Sequence, residues 1–171
     1  MIEIIPNWHS VFVHFPIAFA TASVFFFVAA RLLKGKTLAA QCLHTGRWML
    51  RAAAIFACIA AVFGWLAFNS VEHDEAGHLV MALHRNWALG ALGALILLAV
   101  WDLSFRRTAK PPTSEFLILL IGGWLLVASA AWHGGELVYR HGLGVMALPD
   151  MHDEQDATAH GAGGHEHTHT H

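Results

Sequence analysis

The stretch FLILLIGGWLLVASAAWHGGELVY, residues Phe116–Tyr139, contains one charged side chain, Glu136, in 24 residues. An apolar run of about 20 residues is long enough to cross the hydrocarbon core of a bilayer as an α-helix. The stretch therefore predicts a transmembrane helix, and it carries a histidine, His133, near one end. A histidine inside a membrane span is rare and costly, so His133 marks a candidate functional site.

Three further apolar segments precede this one, and the four together make up most of the chain. They run from about Trp8 to Leu33, from about Trp48 to Asn69 and from about Trp87 to Phe105. Charged residues make up only 13% of the chain, about half of what a soluble domain carries. These features predict an all-α integral membrane protein, a four-helix bundle in up-down-up-down order. Pro16 predicts a kink in the first segment, because proline removes an intrahelical hydrogen bond.

The connections between the segments differ sharply in charge. Eight of the ten Lys and Arg residues lie in the connection from Arg31 to Arg51 or in the one after segment three. Short basic connections remain on the cytoplasmic side of a membrane. The pattern predicts a multi-pass protein of the bacterial cytoplasmic (inner) membrane, with both termini on the extracytoplasmic side. The net charge of −2 offers no basic surface for nucleic acid.

The composition changes after Pro149. Residues 1–149 form the predicted bundle, and residues 150–171 are predicted to be a disordered tail, because they lack the apolar residues that a core needs. The tail ends in alternating histidines: His165, His167, His169 and His171. Alternating imidazoles on a flexible chain bind copper or zinc loosely, so these four residues are candidate metal ligands.

Thirteen of the fourteen histidines fall on the predicted outer side of the membrane. His14 lies six residues past Trp8, or about 9 Å along a helix. His133 lies six residues before Tyr139, again about 9 Å along a helix. Since Trp and Tyr mark the membrane interface, His14 and His133 are predicted to lie at one depth. Three more candidate ligands are predicted nearer the interface: His9, His84 and His141.

Each of the two deep histidines also belongs to a stripe of polar or small residues. The stripe is Asn7, Ser10, His14, Ala18 and Thr21 on segment one, and Gly122, Leu126, Ser129, His133, Glu136 and Arg140 on segment four. Stripes with this heptad-like spacing are predicted to turn into the bundle, which makes His14 and His133 inward-facing. Neutral imidazoles facing each other from different helices are the ligands that a haem iron or a transition metal requires.

Two acidic residues inside the predicted spans are expected to form ion pairs. Asp102 lies near the cytoplasmic end of segment three beside Arg106, which makes it a candidate ion-pair partner. Glu136 is placed either to orient His133 as a ligand or to pair with Arg140 at i,i+4. The pair with Arg140 is the favoured interpretation.

The motifs NWHSVFVHFPIAF, residues Asn7–Phe19, and GGELVYRHGLGV, residues Gly134–Val145, resemble a family of predicted bacterial membrane proteins known as domain of unknown function 2231. The resemblance covers roughly residues 5–147. The family typically begins with a His-Pro pair where this chain has His9-Ser10. The resemblance implies a four-span membrane protein and the importance of His9, His14, His133 and His141. It implies no activity.

Three classes of function remain open. The first is a membrane-embedded b-type cytochrome that binds haem b through the outer histidines and exchanges electrons with a quinol or a periplasmic carrier; five candidate histidines leave room for a second haem. The second is a copper- or zinc-handling protein that loads from the tail. The third is a structural subunit of a homo-oligomer or a larger membrane complex. Because no covalent-haem, metalloprotease or nucleophile–base motif is present, an electron-transfer or binding protein in contact with membrane lipid is favoured over a stand-alone enzyme.

Overall fold

The computed structural model describes residues 8–70, 75–104 and 112–141. Every described element is an α-helix: α1 His9–Phe12, α2 His14–Leu32, α3 Thr37–Ser70, α4 Glu75–Ser104 and α5 Ser114–His141. Four stretches are long and apolar enough to cross a membrane: His9–Leu32, Thr37–Asn69, Leu79–Ser104 and Ser114–Arg140. The predicted all-α class and the predicted number of spans are confirmed.

The first span consists of α1 and α2, which are separated by a single residue, Val13. The interruption lies three residues before Pro16. The proline nitrogen carries no hydrogen, so it cannot donate to the carbonyl of Phe12 one turn earlier. Val13 keeps helical dihedral angles, φ −65° and ψ −26°, so the interruption is a single residue in the hydrogen-bond pattern, and the kink predicted from Pro16 stays a prediction.

The helices of the second and third spans begin about three turns earlier than the apolar segments predicted. α3 starts at Thr37 rather than near Trp48, and α4 starts at Glu75 rather than near Trp87. At 1.5 Å per residue, the 34 residues of α3 extend about 51 Å, which exceeds the roughly 30 Å hydrocarbon core. The predicted connections before α3 and α4 are thus helical over much of their length. Hydropathy shows which residues lie in the membrane, and it does not show where a helix ends.

The helices form a closed ring in which α2 packs on α3, α3 on α4, α4 on α5 and α5 on α2. The first two long helices, α2 and α3, form one helical hairpin, and α4 and α5 form a second. The contacts within each hairpin are more extensive than those between the hairpins. The interface between the two hairpins is therefore the looser of the two kinds of packing in the bundle.

One face of α2 is buried in the bundle: Pro16, Ala20, Ser23, Phe27 and Ala30. The hydroxyl of Ser23 donates a hydrogen bond of 3.2 Å to the carbonyl of Gly46 on α3. A Cβ added at Gly46 would lie 3.2 Å from the ring of Phe27, so the glycine allows the two helices to approach closely. This packing leaves His14 and Thr21 exposed on another face of α2, where Thr21 accepts a 2.9 Å hydrogen bond from Trp124 of α5.

Candidate functional site

Two histidine rings meet at the end of the bundle where the first span begins. The ring centres of His9 on α1 and His84 on α4 are 6.3 Å apart, and their planes are inclined by 77°. Both side chains are half-buried. We call these two residues the histidine pair. His9 lies just before the hairpin of α2 and α3, and His84 lies in the hairpin of α4 and α5. The pair therefore bridges the interface between the two hairpins.

The ring of His9 is oriented by a backbone carbonyl of the neighbouring helix. Its Nδ1 lies 2.9 Å from the carbonyl oxygen of Ala60 on α3. A carbonyl oxygen can only accept a hydrogen bond, so Nδ1 is the donor and carries the proton. In a neutral imidazole, Nε2 is then the nitrogen with the lone pair.

His84 is oriented in the same way by the second hairpin. Its Nδ1 lies 3.0 Å from the carbonyl oxygen of Ala130 on α5. The same reasoning assigns the proton of His84 to Nδ1 and the lone pair to Nε2. A hydrogen bond from one ring nitrogen to a backbone carbonyl is how proteins hold a histidine whose other nitrogen binds a metal.

A glycine follows each of the two accepting alanines by four residues: Gly64 follows Ala60, and Gly134 follows Ala130. A helical side chain covers the turn on the N-terminal side of its own Cα. Glycine at this position therefore leaves the carbonyl of the alanine uncovered, and a side chain from another helix can reach it. We call each of these Ala-x-x-x-Gly motifs a histidine cradle.

The cradles fit closely around the imidazole rings. A Cβ added at Gly64 would lie 2.9 Å from Cε1 of His9, and a Cβ added at Gly134 would lie 3.1 Å from Cε1 of His84. Both distances are shorter than an ordinary van der Waals contact between carbon atoms. The rings occupy the space that a larger residue would fill.

The two hairpins repeat one plan. In each, the first span carries a histidine near the same end of the bundle and the second span carries the cradle that receives it. The first and third spans run in the same direction, so the two units are related as parallel repeats about an axis along the bundle. The histidine pair lies where the two repeats face each other.

His133 lies beside the pair, on the α4–α5 side of the bundle. Its ring stacks on Trp87, with 5.9 Å between ring centres and 28° between planes. Its Nδ1 is 3.5 Å from Oε2 of Glu136 and makes no hydrogen bond with any described residue. Arg140 donates a 2.8 Å hydrogen bond to Oε1 of Glu136, which confirms the predicted pair.

The prediction that His14 points into the bundle is wrong. Its side chain is exposed, as are the other described members of its stripe: Ser10, Ala18 and Thr21. The small residues that face inward on α2 are instead those that pack against α3, including Ala20 and Ser23. His14 therefore does not face His133 across the interior. Of the predicted site residues, His9 and His84 are the two that the fold brings together there.

Several predicted site residues lie outside the described part of the chain. α5 ends at His141, whose side chain is outside the described part. The histidines of the C-terminal segment are outside it as well: His165, His167, His169 and His171. Their roles stay predictions, as does the division of the chain at Pro149.

The cradles are features of the candidate site that the sequence reasoning missed. The sequence does contain a signal for them, since Ala-x-x-x-Gly occurs in both the second and the fourth span, at the end of the bundle where the first span begins. Read alone, each motif is typical of close helix packing in membranes. Only the matching histidines on the first and third spans distinguish a cradle from an ordinary packing motif.

The fold and these residues define a class, a four-span helical membrane protein with two oriented histidines in its interior. Residues 6–147 match the family described as predicted membrane protein (DUF2231). The chain belongs to that family, which confirms the resemblance of its two histidine-bearing motifs. No curated protein and no solved structure matches the chain.

Proposed function

We propose that the protein is a membrane b-type cytochrome in which His9 and His84 would hold one haem. The observation that carries this proposal is the 6.3 Å between their ring centres. Two imidazoles that hold the same metal ion each make a metal–nitrogen bond of about 2.0 Å, so their rings must come within a few ångström of each other.

The hydrogen bonds of the pair support the same role. Both rings use Nδ1 toward a backbone carbonyl, so Nε2 is the nitrogen that each can offer to iron. A ligand imidazole needs this tautomer and a fixed ring plane. The cradles provide both without any charged partner, which suits a site inside a membrane.

The number of ligands favours haem over a bare metal ion. A structural zinc site needs four protein ligands. Among residues 8–70, 75–104 and 112–141, no group of three or more His, Cys, Asp and Glu side chains could hold a metal ion. Two imidazoles suffice for haem, because the porphyrin supplies the remaining four nitrogens.

The two proposed ligands come from different parts of the bundle, since the contacts between the hairpins are less extensive than those within them and the pair lies between the hairpins. Haem would supply one-electron chemistry there, while the chain holds its ligands and excludes water. A quinol or a periplasmic carrier is the corresponding redox partner, and the site lies near the end of the bundle that we assign to the outer side.

The direct test is the visible spectrum of the full-length protein purified from membranes, recorded oxidised and after reduction with dithionite. We expect a Soret band, sharp α and β bands on reduction, and about one haem per chain, as one ligand pair allows. A colourless protein with stoichiometric copper or zinc would replace this proposal with metal handling. A colourless protein free of metal would replace it with a structural role.

We infer that the basic connections face the cytoplasm, that both termini lie outside it and that the protein resides in the bacterial inner membrane. The support is the division of Lys and Arg, eight of ten on one side. Alkaline phosphatase fused after Pro149 should be active, because it folds only after export, whereas a fluorescent protein that matures only in the cytoplasm should be dark. A bright fluorescent fusion with inactive phosphatase would reverse the orientation and place the histidine pair near the inner face.

A further inference from the structure

A second cluster of charged groups lies at the opposite end of the bundle from the histidine pair. Asp102 on α4 is only 5% exposed. Arg47 donates to its Oδ1 through Nε at 2.9 Å, and Arg51 donates to its Oδ2 through Nη2 at 3.0 Å. The predicted ion pair of Asp102 is thus present, with two arginines of α3 as its partners. Arg106, the partner suggested by the sequence, lies outside the described residues.

This arginine cluster, Arg47, Arg51 and Asp102, brings two guanidinium groups to one carboxylate. The arginine side chains are only 14% and 17% exposed, so the second positive charge is largely removed from water. A buried charge is costly unless an opposite charge accompanies it. Glu115, the other described acidic residue at this end, is exposed in the first turn of α5. The cluster therefore lies in a region with an excess of positive charge.

Arg51 also has donor capacity that Asp102 does not use. Its Nε is buried and has no hydrogen-bond partner among the described residues. Its guanidinium lies over the ring of Trp48, 5.4 Å from the ring centre, and Trp48 is 55% exposed. Tryptophan is enriched at the level of the lipid headgroups. Arg51 is thus held beside a side chain that marks the bilayer interface.

The depth of the cluster is compatible with contact to headgroups. Gly46, next to Arg47, packs against Phe27 of α2. Arg31, one turn beyond Phe27, donates to the carbonyl of Pro112, just before α5, and to the hydroxyl of Ser114, the first residue of α5. Arg47 therefore lies about one helical turn, or roughly 5 Å, inside the level of Arg31, and Arg51, one turn further along α3, lies about two turns inside it. The long side chain of an arginine points toward the N-terminal end of its helix and can carry its charge toward the interface.

We propose that the arginine cluster binds the phosphate of an anionic phospholipid, with Arg51 as the principal contact. One arginine would neutralise Asp102, and the second adds a positive charge that an anionic headgroup can neutralise. Guanidinium groups bind phosphate through charge-assisted hydrogen bonds. Basic pockets between spans at the cytoplasmic end of a bundle suit anionic headgroups. The inference does not depend on haem.

The test compares lipid retention by the full-length protein and its Arg51→Gln variant. Each is purified in detergent with equal phosphatidylglycerol and phosphatidylcholine, and bound lipid is counted by native mass spectrometry. The wild type should retain phosphatidylglycerol in preference to phosphatidylcholine, and Arg51→Gln should lower that preference about tenfold, as loss of a charged hydrogen bond implies. Asp102 keeps Arg47 as its partner in this variant, so the helices should remain paired.

Two further variants make the outcome decisive. Arg85→Gln removes a positive charge at the other end of the bundle and should retain lipid like the wild type. Asp102→Asn frees both guanidinium groups and should raise retention of phosphatidylglycerol. Unchanged preference in folded Arg51→Gln would overturn the proposal, as would unchanged or lower retention in Asp102→Asn whose circular dichroism shows the wild-type helix content. Displacement of the lipid by millimolar inorganic phosphate would also overturn it, since the site would then select free phosphate.

Discussion

Replacing His84 by alanine is expected to abolish stable haem binding while the protein still inserts into the membrane. The variant loses one of the two proposed ligands, the ring that lies 6.3 Å from that of His9. Loss of a residue that merely orients a ligand costs about 10- to 100-fold in affinity, so loss of the ligand itself should exceed about 100-fold. His9→Ala should behave in the same way, because the two residues have equivalent positions in the two repeats.

The measurement is the haem-to-protein ratio together with the spin state in the visible spectrum. Any haem that remains should be high-spin, and added imidazole should restore the low-spin spectrum by filling the vacated ligand position. His14→Ala is the matched control, because His14 lies on the same span as His9 and its side chain is exposed. Wild-type amounts of low-spin haem in both His9→Ala and His84→Ala would refute the assignment of the pair.

Adding a single methyl group in a cradle is expected to have nearly as large an effect. In Gly134→Ala the new Cβ would lie 3.1 Å from Cε1 of His84, and in Gly64→Ala it would lie 2.9 Å from Cε1 of His9. The ring can escape only by moving off the carbonyl that orients it. We expect haem content to fall about tenfold or more in each variant, and more in Gly64→Ala, where the contact is shorter.

Gly135→Ala provides the control for the cradle, because a Cβ at Gly135 meets nothing within 4 Å. All three substitutions replace glycine by a better helix former, worth about 1 kcal/mol per residue in a helix interior. The thermal stability of the bundle measured by circular dichroism should therefore not fall in Gly135→Ala. Equal haem content in Gly134→Ala and Gly135→Ala would show that the cradle does not control the position of the ring.

The number of spans could be predicted from sequence, because a membrane imposes a length of about 20 apolar residues on each helix. The ends of the helices could not be predicted in this way. α3 begins at Thr37, eleven residues before the predicted start at Trp48, because charged and polar residues do not end a helix. Interactions between neighbouring turns of one helix could also be predicted from the sequence, and the predicted i,i+4 pair of Glu136 and Arg140 is present.

The contacts that a residue makes with other helices could be identified only from the tertiary structure. Asp102 was recognisable as an ion-pair partner, yet the two arginines that bind it in the described part of the chain come from α3, more than 50 residues earlier. The accepting carbonyls of the histidine pair are likewise 51 and 46 residues away from their histidines. Nothing in the local sequence of either histidine specifies them.

The sequence by itself determined that this protein is a four-span helical membrane protein with histidines concentrated toward one end of the bundle. Only the tertiary structure decided which of those histidines face each other. In a soluble helix the buried face is recognised by its contrast with a polar face. A membrane helix is apolar on both faces, so periodicity could not tell that His14 faces outward. His9 lies in the interior because Gly64, on another helix, leaves room for its ring.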